Sequence, residues 1–391
     1  MTCNTGNVRQ DKEARVEVLH VIARMNVGGP AVEIVELIHG LDSNEFSQTL
    51  VCGYCGPDES DYLEGQSDTF PVVRLQGLGR RLNVWSDIKV LIRLRKIIQT
   101  VSPDIVHTHT AKAGVLGRLA LRISGVRAKS IHTYHGHLLH GYFGKIKTKI
   151  MIWIERALAR STDTLICVGL QVKTDLLSVG VGREHQFCVI RSGVPEKNYP
   201  SRMDARRELG ISPQAQVVTY VGRLTQIKRI DRLLQVTSLA QERIPDFQLL
   251  IVGGGELSPW VETEIKSRFL RATMVGWQGD TSLYLAATDL IILTSDNEGT
   301  PLVLIEAGQA ARPAVATNVG SVSEIILHEE TGFLTNLSVP TIAEAVTQAL
   351  THFDLKTVGA AAQRHIRSKF SLESFINGHA DVYRTGVRLF E

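Results

Sequence analysis

The feature that most constrains the fold is an alternation of short apolar runs with amphipathic helical patterns, which fills the first half of the chain and then starts again. Strand-length apolar runs predict strands at 16–23, 48–52, 72–75, 105–107, 130–134, 164–168 and 187–190, and then at 216–221, 248–252, 273–275, 290–293 and 314–317. Helical patterns between them predict helices at 31–41, 85–100, 112–124, 144–159 and 171–178, and then at 229–241, 260–269, 282–287, 301–311, 322–327 and 341–350. Such alternation is typical of parallel sheets covered by helices on both faces. We therefore predict an α/β protein with two doubly wound, Rossmann-like domains.

A segment rich in turn-forming residues, 192–201, separates the two blocks and predicts a linker. We place the first domain at 16–192 and the second at 193–370, after a polar and charged N-terminus, 1–15, that is predicted to be flexible. Domains of this kind bind ligands beyond the carboxyl ends of their strands, often in the cleft between them. The informative residues of both halves do follow predicted strand ends.

The segment Asn-Glu-Gly-Thr-Pro-Leu-Val-Leu-Ile-Glu at 297–306 carries two carboxylates, Glu298 and Glu306, eight positions apart. Thr300 is suited to be an N-cap and Pro301 to be the first helical residue, so a helix is predicted to begin between the two acids. A helix N-terminus binds anions. Carboxylates on either side of such a terminus indicate a ligand with both phosphates and hydroxyls, as in a nucleotide sugar. The alternative is a surface turn followed by an ordinary amphipathic helix.

Two cations, Arg223 and Lys228, follow the first strand of the second half, after a turn at Gly222. Cations at this position would stabilise the negative charge that grows on a diphosphate leaving group as a glycosidic bond breaks. The alternative is that both form surface ion pairs, with Asp231 as one partner.

Glycines mark several other strand ends, at 253–255, at Gly276 before Trp277, and at Gly28-Gly29 before Pro30. Glycine lets a backbone approach a ligand closely, although ordinary strand ends and βα turns carry the same residues.

Histidine is dense in the segment 131–140, where His132, His135, His137 and His140 lie close in sequence, and His107 and His109 mark the adjacent strand end. A zinc site is the less favoured interpretation, because such sites add cysteines or acids in a fixed geometry. A neutral imidazole can instead hydrogen-bond a sugar hydroxyl without adding charge. Packing or contact with an acceptor is expected of His132, His137 and His140.

The segment 297–306, the Gly-Arg-Leu sequence at 222–224 with Lys228, and the glycine-rich strand ends together resemble the signature of retaining glycosyltransferase family 4. The resemblance covers the chain from about residue 16 to 391. It implies the GT-B arrangement, in which two Rossmann-like domains face each other across a cleft and a last helix, here 371–391, crosses back to the first domain. It also implies retaining transfer of a hexose or N-acetylhexosamine from a nucleotide diphosphate sugar to a free or lipid-linked glycan in cell-surface polysaccharide synthesis.

The same resemblance implies the roles of individual residues. It implies four catalytic residues: Glu298 and His135 would contact the transferred sugar, and Arg223 and Lys228 would bind the phosphates. Its donor-binding set is Gly28, Gly29, Gly222, Gly254, Gly276, Gly299, Thr300, Pro301, Leu302, Val303 and Glu306, the last on the ribose hydroxyls. We expect no metal and no cofactor, since Arg223, Lys228 and a helix terminus neutralise the diphosphate of a UDP- or GDP-sugar substrate. One departure is Arg229, where the family commonly has glycine; this residue either adds a third cation or points to solvent.

Composition restricts the partners. The net charge of +3 is too small to argue for nucleic acid. The longest apolar runs are strand-length, far short of the roughly 18 residues of a membrane span, and the N-terminus lacks the apolar region of a secretory signal. Five scattered cysteines suit a reducing compartment. We expect a cytoplasmic protein, either free or peripheral at the inner face of the plasma membrane.

The predicted helix at 144–159 combines basic and apolar residues, with Lys145, Lys149, Trp153 and Arg156 at helical spacings. It could rest on an anionic membrane, or its apolar side could face the domain core; the core is the preferred interpretation.

Two other functions fit the predicted fold. One is a nucleotide-sugar epimerase, which would convert the donor without any acceptor. The other is a non-catalytic nucleotide-sugar-binding protein, which would bind the donor but release no nucleoside diphosphate.

Overall fold

Seven parallel strands form the first sheet of the computed structural model, which describes residues 15–57, 59–64, 69–79, 83–136 and 144–387. Its strands are β1 Val16–Arg24, β2 Phe46–Gly53, β3 Val72–Arg74, β4 Ile105–His109, β5 Lys129–Tyr134, β6 Thr164–Cys167 and β7 Phe187–Val189. Its helices are α1 Gly29–Gly40, α2 Val84–Val101, α3 Ala111–Ser124, α4 Lys145–Ala159 and α5 Leu170–Ser178. The strand order is β3-β2-β1-β4-β5-β6-β7.

The second half of the chain repeats this architecture with six parallel strands. Its elements are α6 Arg202–Glu208, β8 Gln216–Val221, α7 Ile230–Arg243, β9 Phe247–Val252, α8 Ser258–Ser267, β10 Ala272–Gly276, α9 Ser282–Ala287, β11 Leu290–Leu293, α10 Leu302–Gln309, β12 Ala314–Thr317, α11 Val322–Ile325, β13 Phe333–Thr335, α12 Val339–His352, α13 Leu355–Lys369 and α14 Leu372–Val387. The strand order is β10-β9-β8-β11-β12-β13. The predicted α/β class with two parallel-sheet domains is confirmed.

Buried apolar strands explain both sheets. Residues such as Leu19, Val21 and Val106 pack under α2 and α3, and Val218, Leu249 and Ile292 pack under α7 and α12. Strands covered on both faces are apolar along their length rather than alternating, which is why their positions were predictable.

The chain returns to the first sheet at its last helix. The Tyr383 hydroxyl lies 2.6 Å from Nδ1 of His107 on β4, and Arg384 binds both carboxylate oxygens of Glu45. Helix α14 thus packs on the first domain beside α1. The domain boundaries drawn at 192 and 370 stay predictions, and the predicted flexible N-terminus lies outside the described residues except for Arg15.

The order of strands reverses beside β1 and β4 in one sheet and beside β8 and β11 in the other. The crevice beyond the carboxyl ends of such strands is where doubly wound sheets bind ligands. The predicted catalytic residues follow β5, β8 and β11, and Gly28 and Gly29 follow β1, so topology directs them to this region of both domains. Gly254 and Gly276 lie at the ends of β9 and β10, farther along the second sheet.

Candidate functional site

The two domains meet where α10 begins. A Cβ atom on Gly299 would lie 2.0 Å from the main-chain oxygen of His135, and one on Gly136 would lie 3.3 Å from the Gly299 backbone. The hydroxyl of Thr300 donates to the main-chain oxygen of Val168 at 2.9 Å. Gly299 is therefore required by the close approach of two backbones from different domains.

The cap of α10 differs from the sequence prediction. Thr300 is not the N-cap, because its hydroxyl bonds across the cleft to the first domain. Pro301 occupies the cap position instead, and no described side chain caps it. The first N–H groups of α10, at Leu302 and Val303, thus form a helix terminus suited to an anion.

Glu298 is nearly buried and is held from two sides. Lys228 contacts its Oε1 at 2.5 Å, and the Ser295 hydroxyl donates to the same oxygen at 2.5 Å. The structure therefore brings two predicted catalytic residues together as one ion pair. Lys228 keeps further N–H donors for a ligand.

Glu306 lies on the second turn of α10, as the helical repeat requires. Its Oε1 accepts from Lys197 at 2.9 Å, a residue of the segment that the sequence predicts as a linker. Burial alone would lower the pKa of Lys197, but Glu306 and Asp280 outweigh that effect, so its pKa is raised. Lys197 is therefore a positive group at the predicted ribose subsite.

Arg223 lines a cleft of about 620 Å³ between the domains. Gly255 and Trp277 of the second domain and Asn26 and Glu59 of the first line the same cleft. The volume falls within the range of roughly 300–1,000 Å³ that is usual for small-molecule sites.

The glycines at strand ends of the second domain serve packing as well as access. A Cβ atom on Gly253 would lie 2.1 Å from the Gly222 oxygen, and one on Gly254 would lie 2.7 Å from Nε1 of Trp277. Gly276 has a φ of +82° with open space around it. Gly222, Gly254 and Gly276 thus share one neighbourhood, as the sequence predicts.

Arg229 is neither a free third cation nor directed to solvent. Its guanidinium binds Asp231 at 2.8 Å and Asp296 at 3.1 Å. Its φ of +52° lies in the left-handed region. Glycine adopts this backbone conformation at lower energetic cost than other residues do. This backbone geometry explains why glycine is the usual residue at this position.

The first domain contributes a glycine turn and a histidine. Gly28 and Gly29 lead into α1, and a Cβ atom on Gly29 would lie 3.6 Å from the Leu302 side chain across the cleft. His135 follows β5, with Nδ1 2.6 Å from Glu33 on α1 and Nε2 3.1 Å from His109 on β4. Both ring nitrogens of His135 are thus hydrogen-bonded within the protein, an arrangement that the sequence did not predict.

The histidines on the neighbouring strands, His20, His107, His109 and His132, are buried. His132 is hydrogen-bonded to Thr108 of the neighbouring strand, which agrees with the expected packing role. His137 and His140 lie outside the described residues. The ring nitrogens of His20, His107 and His109 lie within 4.8 Å of one another. All six have polar side-chain neighbours at hydrogen-bonding distance. The expectation of no metal stays a prediction.

Three site residues escaped the sequence analysis: Lys197, Ser295 and Glu33. Ser295 lies between the end of a predicted strand and Glu298, three residues before that acid, so its position in the sequence could have identified it. Glu33 is an acid on the inward side of α1, only four residues after Gly29, and a carboxylate at an apolar helix position was a second signal. Lys197 lies in a segment without helix or strand, and no sequence pattern marked it as a site residue.

Two protein families match most of the chain. The family described as Glycosyltransferase Family 4 matches residues 27–197, and the one described as Glycosyl transferases group 1 matches residues 201–358.

Among curated relatives, the UDP-Gal:alpha-D-GlcNAc-diphosphoundecaprenol alpha-1,3-galactosyltransferase of Escherichia coli is 28% identical over 95% of this chain and 97% of its own. The N-acetyl-alpha-D-glucosaminyl L-malate synthase of Bacillus anthracis is 23% identical over 77% of this chain and 80% of its own. Similar solved structures include sucrose-phosphate synthase of Thermosynechococcus elongatus, with a TM-score of 0.82, 23% identity, and coverage of 95% of this chain and 99% of that one. HepE of Anabaena in complex with UDP and glucose has a TM-score of 0.78 and 20% identity, with coverage of 94% and 99%.

The two facing parallel-sheet domains and the cleft between them define a GT-B protein. The chain belongs to glycosyltransferase family 4 and is a nucleotide-sugar glycosyltransferase. The epimerase alternative has no support among its relatives.

Proposed function

We propose that this chain transfers a hexose or N-acetylhexosamine, with retention of configuration, from a UDP-sugar to a lipid-diphosphate-linked glycan. The single observation that carries the proposal is the convergence of Lys228, Glu298 and the α10 terminus at the point where the first domain touches Gly299. A relative that covers nearly the whole chain is named for such a donor and acceptor, which supports the choice of both.

The diphosphate is assigned to the second domain. Arg223 and Lys228 donate to its oxygens and stabilise the charge that develops on the leaving group, with the α10 terminus beside them. Lys197 and Glu306 lie where the ribose is expected. No metal is needed for this charge balance.

In the proposed reaction, the bond between the anomeric carbon and the diphosphate oxygen breaks while an acceptor hydroxyl attacks the same face. The acceptor proton passes to an oxygen of the departing diphosphate. Glu298, held by Lys228 and Ser295, orients the sugar through its hydroxyls and forms no covalent intermediate.

The test is incubation with a panel of UDP- and GDP-sugars and an N-acetylglucosamine-diphospholipid acceptor. We expect UDP release only when the acceptor is present, and an α-linked product by NMR from an α-configured donor. Binding of a UDP-sugar without UDP release from any acceptor would support a non-catalytic binding protein, and a β-linked product would exclude retention.

Contact with an anionic membrane is the second part of the proposal. Only part of the apolar side of α4 faces the core: Leu158 and Ala159 are buried, whereas Ile146 is 77% exposed and Trp153 is 70% exposed. The inner side of α4 also carries Glu155, which pairs with buried Arg118 at 2.8 Å. Apolar and basic groups together on an exposed helix face suit a membrane surface.

Helix α2 presents a similar face. Trp85 is 78% exposed, Ile88 and Ile92 are exposed along the same helix, and Lys89 and Lys96 lie among them. Helices α2 and α4 both pack beside α3, so the two exposed faces belong to one side of the first domain. No helix in the described part of the chain is both long enough and apolar enough to cross a membrane.

Vesicle binding tests this contact. Each lysine near an anionic surface contributes about 1 kcal/mol, so changing Lys147 and Lys149 together to Gln should weaken binding to phosphatidylglycerol vesicles roughly thirtyfold at low salt. Lys266→Gln with Lys356→Gln on the second domain is the matched control, which should leave binding unchanged. Equal loss in both double variants, or no binding by the unaltered protein, would exclude α4 as the contact.

A further inference from the structure

Helix α5 of the first domain begins at Leu170 without a capping residue of its own. Gly169 occupies its N-cap position and has no side chain that could accept a hydrogen bond from the first turn. The first N–H groups of a helix have no partner within the helix, and an N-cap side chain usually accepts from the second or third of them. The start of α5 therefore requires an acceptor from another part of the chain.

The second domain supplies this acceptor. Oε1 of Glu324, on α11, accepts from the main-chain N–H of Gln171 at 3.2 Å. Gln171 is the second residue of α5, so the carboxylate takes the place that the oxygen of an N-cap side chain would have. A negative charge at this end of a helix is also favoured by the helix dipole. Glu324 thus caps a helix that belongs to the opposite domain.

The second carboxylate oxygen of Glu324 also contacts the first domain. Arg191, which follows β7, places Nη2 3.3 Å from Oε2 of Glu324. The backbone of Glu324 is held by its own domain, since Nε2 of His365 on α13 lies 3.2 Å from its main-chain oxygen. One residue therefore joins the domains, with its backbone bound on one side and its carboxylate on the other.

Gly169 leaves the space that the carboxylate needs. A Cβ atom on Gly169 would lie 2.7 Å from Oε1 of Glu324 and 2.1 Å from Oγ of Ser321. The φ of Gly169 is −162°, an extended conformation that any residue adopts, so close approach and not backbone conformation favours glycine here. The absence of a side chain at this position both leaves α5 without a cap and admits the carboxylate that provides one.

The segment that carries Glu324 packs on the predicted donor site. The main-chain N–H of Ser321 donates to the main-chain oxygen of Gly299 at 3.2 Å. A Cβ atom on Gly320 would lie 1.8 Å from the main-chain oxygen of Glu298. Movement of Glu324 away from α5 would therefore also draw Glu298 and Gly299 away from the first domain.

We propose that Glu324 is a positioning residue that holds the two domains closed over the donor by capping α5 across the cleft. When the domains separate, the first turn of α5 loses its acceptor and Arg191 loses its partner, so these contacts favour the closed arrangement. Glu324 acts on transfer by placing Glu298 and Gly299 against the first domain. This role concerns the domain arrangement and does not depend on which sugar or acceptor the enzyme uses.

Turnover and UDP affinity provide the first test. Loss of a hydrogen bond to a charged group should lower kcat of Glu324→Ala about tenfold. UDP affinity should stay nearly unchanged, because the carboxylate binds groups of the first domain. Glu324→Gln keeps an oxygen for the Gln171 N–H and should lose less activity than Glu324→Ala. Glu330→Ala, at an exposed acid farther along the same segment, is the matched control and should be unaltered.

Small-angle X-ray scattering with saturating UDP measures the domain arrangement without any acceptor. We expect a larger radius of gyration in Glu324→Ala than in the unaltered protein or in Glu330→Ala. A lowered kcat with an unchanged radius, or an unchanged kcat, would overturn the proposal. A loss of UDP affinity as large as the loss of kcat would also overturn it, because Glu324 would then support the fold of the second domain.

A double variant tests whether Glu324 and Arg191 act through one contact. Arg191→Ala should lower kcat roughly threefold, as expected for a partly exposed ion pair. Added to Glu324→Ala, it should cause no further loss, because residues that share a contact are not additive. Multiplication of the two separate losses would contradict the shared contact. If Glu324→Ala fails to fold, Glu324→Gln with and without Arg191→Ala gives the same comparison.

Discussion

The two sides of the interdomain cleft carry different kinds of polar contact at their strand ends. On the second domain, cations and carboxylates pair at the strand ends: Lys228 with Glu298, and Lys197 with Glu306. On the first domain, the strand ends carry buried histidines whose rings bond one another, with Glu33 as their acid.

This difference follows from what each side is proposed to hold. A diphosphate requires cations, and the second domain supplies Lys228 and Lys197 in ion pairs at its strand ends. A neutral sugar is bound by a surface of matching shape and by oriented hydrogen-bonding groups. Buried neutral histidine rings provide a rigid surface of this kind without the cost of burying several charges. The second domain is thus suited to the phosphates, and the first to closing over the sugar.

Substitution of Glu298 should give the largest effect on activity. Glu298→Gln should lower kcat by about 10²–10³, the usual effect of removing one group that stabilises a transition state, and should leave UDP affinity nearly intact. Glu306→Gln should mainly weaken UDP binding, because a ribose contact exists in the ground state and the transition state alike. Initial rates and calorimetry with UDP separate the two effects.

An exposed acid of the same domain, Glu330, provides the control, and Glu330→Gln should match the unaltered protein. Loss of UDP binding in Glu298→Gln together with normal binding in Glu306→Gln would reverse the assignment of the two carboxylates.

Acid should destabilise the first domain before the second. The folded pKa of His20 is about 4, below its unfolded value of 6.5, so its contribution is complete above pH 6.5 and is lost as the pH falls toward 4. The shift corresponds to about 3 kcal/mol in the free energy of unfolding. Arg229 lowers the pKa of Asp231 in the second domain, so that contribution is lost only below its ordinary value of 3.8.

Hydrogen exchange at pH 7 and pH 5, corrected for the intrinsic rate, measures this order in peptides of the two sheets. His379→Gln should reduce the acid sensitivity of the first sheet, whereas the exposed His185→Gln should not. Earlier loss of protection in the second sheet would contradict the comparison.

Gly299→Ala tests the contact that joins the two sides. The added Cβ would meet the His135 main-chain oxygen at 2.0 Å, so the domains must separate, and a displacement of about 1 Å costs on the order of 10² in rate. Gly279→Ala is the control, because a Cβ there meets open space. Normal turnover in Gly299→Ala, measured beside that control, would show that this contact is absent from the active arrangement.

The sequence predicted the sheets well because buried parallel strands are continuously apolar. It missed β13, which has three residues, α6, which has seven, and α13, whose pattern is interrupted by Gly359. On the second domain, Glu298, Glu306 and Lys228 were predicted because their motif is local in sequence. The partners of His135 were not, because Glu33, His109 and His135 come from three separate elements and meet only through strand order and register.

The central claim is that the second domain holds the donor diphosphate through Arg223 and Lys228, and the most direct measurement is UDP affinity and turnover in Arg223→Ala and Lys228→Ala. Each change should weaken UDP binding and raise the barrier to transfer by about 2.7–4 kcal/mol. Arg229→Ala should stay within a few fold of the unaltered protein, because that cation is engaged by Asp231 and Asp296. Near-normal affinity and turnover in both Arg223→Ala and Lys228→Ala would contradict the account.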